Sequence, residues 1–103
     1  MTINDIKEIL SETGISHHFI TAPNGTKVPY ITYNMDTENF YADDKPLIDL
    51  PSITINYYDI KRNDANELAI ESVLNQHNMP WRKNHEYDYD SKVFVTVYES
   101  EGL

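Results

Sequence analysis

The sequence predicts an α+β domain in which a mostly antiparallel sheet carries two helices on one face. Three observations lead there. Ser52 to Arg62 alternates Ile53, Ile55 and Tyr57 against Thr54, Asn56 and Tyr58, the two-residue repeat of a pleated strand. Two further stretches, Val28 to Met35 and Lys92 to Glu99, alternate in the same way. Two segments with apolar residues at helical spacing, one near each end of this set, supply faces to cover a sheet.

Taken in order, Thr2-Ile-Asn-Asp5 has the form of a capping box, with the Thr2 hydroxyl placed to accept from a first-turn amide. Ile3, Ile6, Ile9 and Leu10 then recur at helical spacing, which predicts a short amphipathic helix from about Ile3 to Thr13, closed by Gly14. Phe19 and Ile20 form a short strand before the turn Pro23-Asn24-Gly25. The following strand sets Val28, Tyr30 and Thr32 against Ile31 and Tyr33. Asp36 to Pro51, rich in Asp, Asn and Pro, reads as a long irregular connection with Phe40, Tyr41 and Leu47 tucked against the core.

After the central strand, Asp64 as cap and Glu67 three residues on open a second helix. Its inner stripe is Ala65, Ala69, Ile70, Val73 and Leu74, with Glu67, Glu71, Asn75 and Asn78 on the far side, and Asn78 and Pro80 stop it. Trp81 to Tyr89 is a further strand, and a tight turn at Asp90-Ser91 leads into Lys92 to Glu99. There Val93, Val95 and Val97 alternate with Phe94, Thr96 and Tyr98. Two helical stripes cover one sheet face, so the other is expected to carry Tyr58, Thr54, Tyr98 and Thr96, a surface suited to another subunit.

With 103 residues the chain fits one domain, residues 1–103, and is too short for two cores. Its formal charge of −9, from 17 acids against 8 bases, sets up a field that repels phosphate backbones and acidic leaflets, so neither specific nucleic-acid binding nor membrane attachment is expected. No basic-then-apolar leader opens the sequence and no window is long and apolar enough to span a bilayer, which predicts a soluble protein made inside the cell. The absence of cysteine removes disulfides and thiolate ligands.

Signatures of chemistry are lacking. His17-His18 sits on a strand, where neighbours point oppositely and cannot chelate as a pair. Asp43-Asp44, flanked by Asp36, Glu38 and Asp49, lacks the glycine and terminal glutamate of a calcium loop. Three glycines, Gly14, Gly25 and Gly102, build no phosphate cradle. No cofactor, metal or enzymatic activity is expected.

An ordered set of short motifs spans nearly the whole chain: Pro29-Tyr30-Ile31-Thr32-Tyr33, Asn39-Phe40-Tyr41-Ala42-Asp43-Asp44, the strand ending in Tyr57-Tyr58, the helix Leu68 to Leu74, Trp81 with Lys83, and the hairpin from Tyr87 to Tyr98. In these the chain resembles the small acidic head-tail assembly proteins of siphophages and prophages of Gram-positive bacteria, of tail-terminator or tail-completion type. That resemblance implies an α+β subunit assembling into a ring, commonly a hexamer, at the head-proximal end of the tail tube in the virion, in contact with tube and head connector. It implies no residue-level active site, and His17-His18 lies outside the matched motifs. Asn39, Phe40, Tyr41, Asp43, Asp44, Tyr58 and Tyr98 are the expected interface residues. A head-closure or neck component fits the same motifs. From another class, an acidic inhibitor that mimics nucleic acid fits the charge, although such a mimic wants its carboxylates along one surface and here they are scattered.

Overall fold

The computed structural model describes the backbone of residues 2–42 and 45–101 and the side chains of residues 2–36 and 52–101. Two helices and a five-stranded sheet alternate as α1 (Ile3–Ser11), β1 (His17–Phe19), β2 (Tyr30–Ala42), β3 (Lys45–Asp59), α2 (Asp64–Gln76), β4 (Arg82–Asp88) and β5 (Val93–Glu101). The strand order is β1-β2-β3-β5-β4, with β1 parallel to β2 and every other pair antiparallel. The predicted α+β class holds. Among the described residues no helix is long and apolar enough to cross a membrane.

The start of α1 is the capping box read from sequence: the Asp5 amide donates to Thr2 Oγ1 (3.3 Å) and the Thr2 amide to the Asp5 carboxylate (2.7 Å). The helix ends two residues before the expected Thr13. The amides of Glu12, Thr13 and Gly14 each bond three residues back, which tightens the chain out of the α form. In α2 the cap is Asn63 and not Asp64, because the Asn63 side chain accepts from the Asn66 amide at 3.2 Å. Its far end is a Schellman turn. Asn78 is left-handed at φ 57°, its amide bonds to Asn75 O, and the amide of buried Met79 reaches Leu74 O.

The long irregular connection expected over Asp36 to Pro51 is instead strand. Its described backbone forms the outer half of a hairpin whose register runs from Tyr30↔Tyr58 to Ala42↔Lys45, with a shift between Phe40 and Tyr41. Among the described residues, residues 45–51 of β3 pair with β2 alone, since β5 joins β3 from Ser52 to Asp59. A strand with one neighbour has alternate amides free of any ladder, which is why Pro46 and Pro51 are compatible with it.

One buried cluster joins Ile6, Ile9, Leu10 and Ile15 to Ile31, Tyr33, Ile53, Ile55, Tyr57, Ile70, Val73, Leu74, Met79 and Tyr98. Along β3 the burial alternates, Ile53, Ile55 and Tyr57 inside and Thr54, Asn56 and Tyr58 half-buried on the opposite side. The β5 register overturns one expectation. Ile55 pairs with Tyr98 and Tyr57 with Thr96, so Tyr98 and Thr96 lie on the core side, and Val93, Val95 and Val97 share the side of Tyr58.

At the end of β1, the Ile20 amide bonds to Tyr33 O and the Thr21 amide to Phe19 O, around Ile20 at φ 66°. This is a γ-turn with a β-branched residue in the left-handed region, a strained arrangement that displaces the strand expected at Phe19-Ile20 to His17–Phe19.

Candidate functional site

The largest polar constellation in the described residues lies where α2 crosses β4 and β5, and its centre is Glu67. The expected stripe of α2 put Glu67 and Glu71 outward; in the structure Glu67 is 3% exposed and Ala65 faces solvent. Helical spacing alone allows this rotation, because positions 67, 70, 71 and 74 make as continuous a stripe as 65, 69, 70 and 73. The rotation is rewarded by β4, where the alternate residues Lys83 and His85 reach up from the strand.

Glu67 Oε1 accepts from His85 Nε2 at 2.9 Å and is 3.3 Å from Lys83 Nζ. Lys83 Nζ also bonds to Glu71 Oε2 at 2.8 Å, and the Tyr98 hydroxyl donates to the same oxygen at 2.8 Å. Arg62 Nε stands 3.6 Å from Glu67 Oε2, an oxygen that is buried without a hydrogen bond. Burial pushes the Glu67 carboxyl up, but the bonds from His85 and Lys83 outweigh it and hold the group below the usual glutamate value. Lys83 is raised, chiefly by Glu71. Tyr98 is pushed above the usual phenol value by burial and by its bond to Glu71. Beside this group a second network closes on itself: the Tyr57 hydroxyl donates to Asp59, which also accepts from Asn63 Nδ2 and, through its other oxygen, from the Ile60 amide, while Asn66 Nδ2 donates to Tyr57. Chemically, both networks are ionised or phenolic groups tied to fixed partners, an arrangement that anchors α2 to the sheet.

No family model matches this chain, and no curated protein matches it. The reading of its function therefore rests on where the expected interface residues fall.

Asn39, Phe40 and Tyr41 belong to the outer half of the β2–β3 hairpin, with the register shift at Phe40/Tyr41; Asp43 and Asp44 lie outside the described residues. Tyr58 stacks on Tyr30 with ring centroids 4.8 Å apart and an interplanar angle of 25°, opposite Val95 of β5. Tyr98, 1% exposed and bonded to Glu71, is on the other side of the sheet and does not join that surface.

The four histidines occupy four separate places. His17 bonds to Ile15 O, His18 to the Ser16 hydroxyl, His77 to Glu12 and His85 to Glu67. Among the described residues no three metal-ligating side chains come together. The sequence reading does not bring Glu67, Glu71, Lys83 and His85 together as one cluster. The available signal was two acids one helical turn apart, followed by two basic or imidazole residues two apart on a strand.

Proposed function

We propose that this protein is a phage structural protein that caps or completes the tail tube at the head-tail junction, assembled in the host cytoplasm as a homo-oligomeric ring and contacting tube and connector proteins. One observation carries the reading beyond the motif order: two surfaces of the fold are left for a neighbour. The first is the outer half of the β2–β3 hairpin, a two-stranded ribbon of a kind only marginally stable by itself in water. The second is the sheet side bearing Tyr30, Tyr58, Val95 and Val97, opposite the side on which Ile53, Ile55 and Tyr57 are buried. Such a surface has the aromatic and aliphatic composition of an interface centre.

The polar networks support a structural role, since Glu67 and Glu71 tie α2 to β4 and Asp59 ties the start of α2 to β3. The acidic charge suits a ring through which DNA slides without adhering. A head-closure or neck component is the second reading, favoured by the same two surfaces.

The test is electron microscopy of lysates of the encoding phage or prophage with this gene deleted. Overlong tubes without heads are the expected result. Unattached tails of normal length would move the assignment to the connector, and normal infectious particles would end the structural reading and bring forward the acidic inhibitor.

A further inference from the structure

Apart from the β2–β3 ribbon, the two outermost strands of the sheet differ. The β1 edge is three residues long, and the strained turn at Ile20 occupies the Phe19 carbonyl with the Thr21 amide. A strand closed in this way offers little to a newcomer. The β4 edge is seven residues, Arg82-Lys-Asn-His-Glu-Tyr-Asp88, every one exposed and none a proline. Its only sheet neighbour among the described residues is β5, so the backbone groups of its outer side are available for another strand. Lys83 and His85, bonded to α2, hold it in extended form.

The charge order along β4 is positive at its start and negative at its end. In a parallel alignment with a second β4, Arg would face Arg, Lys face Lys, Glu face Glu and Asp face Asp. In an antiparallel alignment centred on His85, Arg82, which is also paired with Glu99 (2.9 Å) and Glu101 (3.5 Å) of its own β5, faces Asp88 of the other copy, Lys83 faces Tyr87, Asn84 faces Glu86, and His85 faces its own counterpart. Each residue meets one of its own parity, so paired side chains share a face of the sheet, as cross-strand pairs must. The Glu86 side chain is exposed and accessible for this contact.

We propose that a second copy of this chain docks along β4, antiparallel and centred on His85, joining two five-stranded sheets into one of ten strands. The contact is isologous, so each β4 edge is occupied by the other and this contact closes at two copies. Edge charges commonly repel a second strand; here their order sets like against like in the parallel approach, while the antiparallel one avoids this and brings Arg82 to Asp88 at each end. The inference stands independently of the tail-assembly reading.

The chain has no cysteine, so one introduced thiol reports the geometry without ambiguity. In His85→Cys the two thiols face each other, and mild oxidation is expected to give a covalent dimer. In Asn84→Cys they are diagonal, roughly 7–8 Å apart, beyond the ~7 Å reach of a disulfide, so no dimer is expected. In parallel, the mass of the unmodified protein by light scattering should rise from 12.0 kDa toward twice that with concentration. Glu86→Lys, which places a cation diagonal to Arg82 of the other copy, should weaken the association about tenfold while leaving the monomer folded. A single-chain mass up to roughly 1 mM would overturn the proposal. So would equal cross-linking at both positions, or a larger assembly in which Cys at 85 does not cross-link.

Discussion

Lys83→Met and Glu67→Gln perturb the same ion cluster from its two ends, and their costs should be unequal. The Lys83 side chain is 29% exposed and that of Glu67 3%, so removing the lysine strands a buried carboxylate, whereas removing the carboxylate's charge releases a lysine that still has Glu71 and solvent. Breaking a buried pair costs about 3–5 kcal/mol when the remaining ion is fully enclosed. Here His85 still donates to Glu67 at 2.9 Å and Arg62 stands 3.6 Å away, and the partly wet lysine is screened, which reduces the expected loss to about 2–3 kcal/mol.

Glu67→Gln keeps the shape and an accepting oxygen, removes the desolvation cost of the charge, and should lose about 1 kcal/mol. At ~4–8 °C per kcal/mol for a chain of this size, Lys83→Met should lower Tm by roughly 10–20 °C and Glu67→Gln by roughly 4–8 °C. The assay is thermal unfolding by circular dichroism at neutral pH. A Glu67→Gln loss equal to or larger than that of Lys83→Met would refute the reasoning.

The acid limb supplies a second readout. Because the folded Glu67 value lies below the ordinary 4.5, its contribution is fully present above 4.5 and is lost as pH falls through the folded value, so Glu67→Gln should flatten the fall in stability in that window. Lys83 is the mirror case: its value is raised above 10.5, so its contribution is present below 10.5 and disappears as pH rises through the folded value.

Three further outcomes are expected. Asn63→Ala, which removes the oxygen that accepts from the Asn66 amide, should cost about 1 kcal/mol in denaturant unfolding, while Asp64→Ala should cost less because Asp64 is not the cap. Ile20→Gly should stabilise the protein by about 1 kcal/mol, read as a rise in the urea midpoint, because glycine adopts the φ of 66° without the steric penalty isoleucine bears. In an alkaline titration followed by phenolate absorbance, Tyr57 and Tyr98 should ionise well above the ordinary phenol range. Burial and the neighbouring carboxylates of Asp59 and Glu71 raise both, so Tyr57→Phe and Tyr98→Phe should each remove amplitude from the highest-pH part of the curve.

The periodicities and the local hydrogen-bonding residues were legible. The Thr2 box, the alternation of β3, the strand at Arg82–Asp88 and the stop at Asn78 all depend on contacts within a few residues, and sequence encodes those directly. What was not legible is which of two similar faces turns inward. Val95 and Val97 look more apolar than Thr96 and Tyr98, yet the register with Ile55 and Tyr57 buries the latter pair, and the Tyr98 hydroxyl finds Glu71 to make that tolerable. Glu67 was misplaced for the same reason. A carboxylate is buried only when charged or hydrogen-bonding partners converge on it, and the Lys83 ammonium and the His85 ring come from a strand that folding alone brings near. The stretch from Asp36 to Pro51 was misread because its prolines and acids signal a loop, whereas a strand with one neighbour accepts them.

The position of β5 bears on how the chain comes into being. It is the last of the seven elements to be synthesised, yet it lies inside the sheet between β3 and β4. During vectorial synthesis α1, β1 and the β2–β3 hairpin emerge first, and the flank of β3 from Ser52 to Asp59 waits without its partner until residues 93–101 follow. For that interval Ile53, Ile55 and Tyr57 sit beside an unpaired strand edge, the kind of surface on which nascent chains associate wrongly. Completion of this sheet therefore waits for the last of its strands, and chains stalled or cleaved ahead of Val93 are the ones the cell has to hold apart.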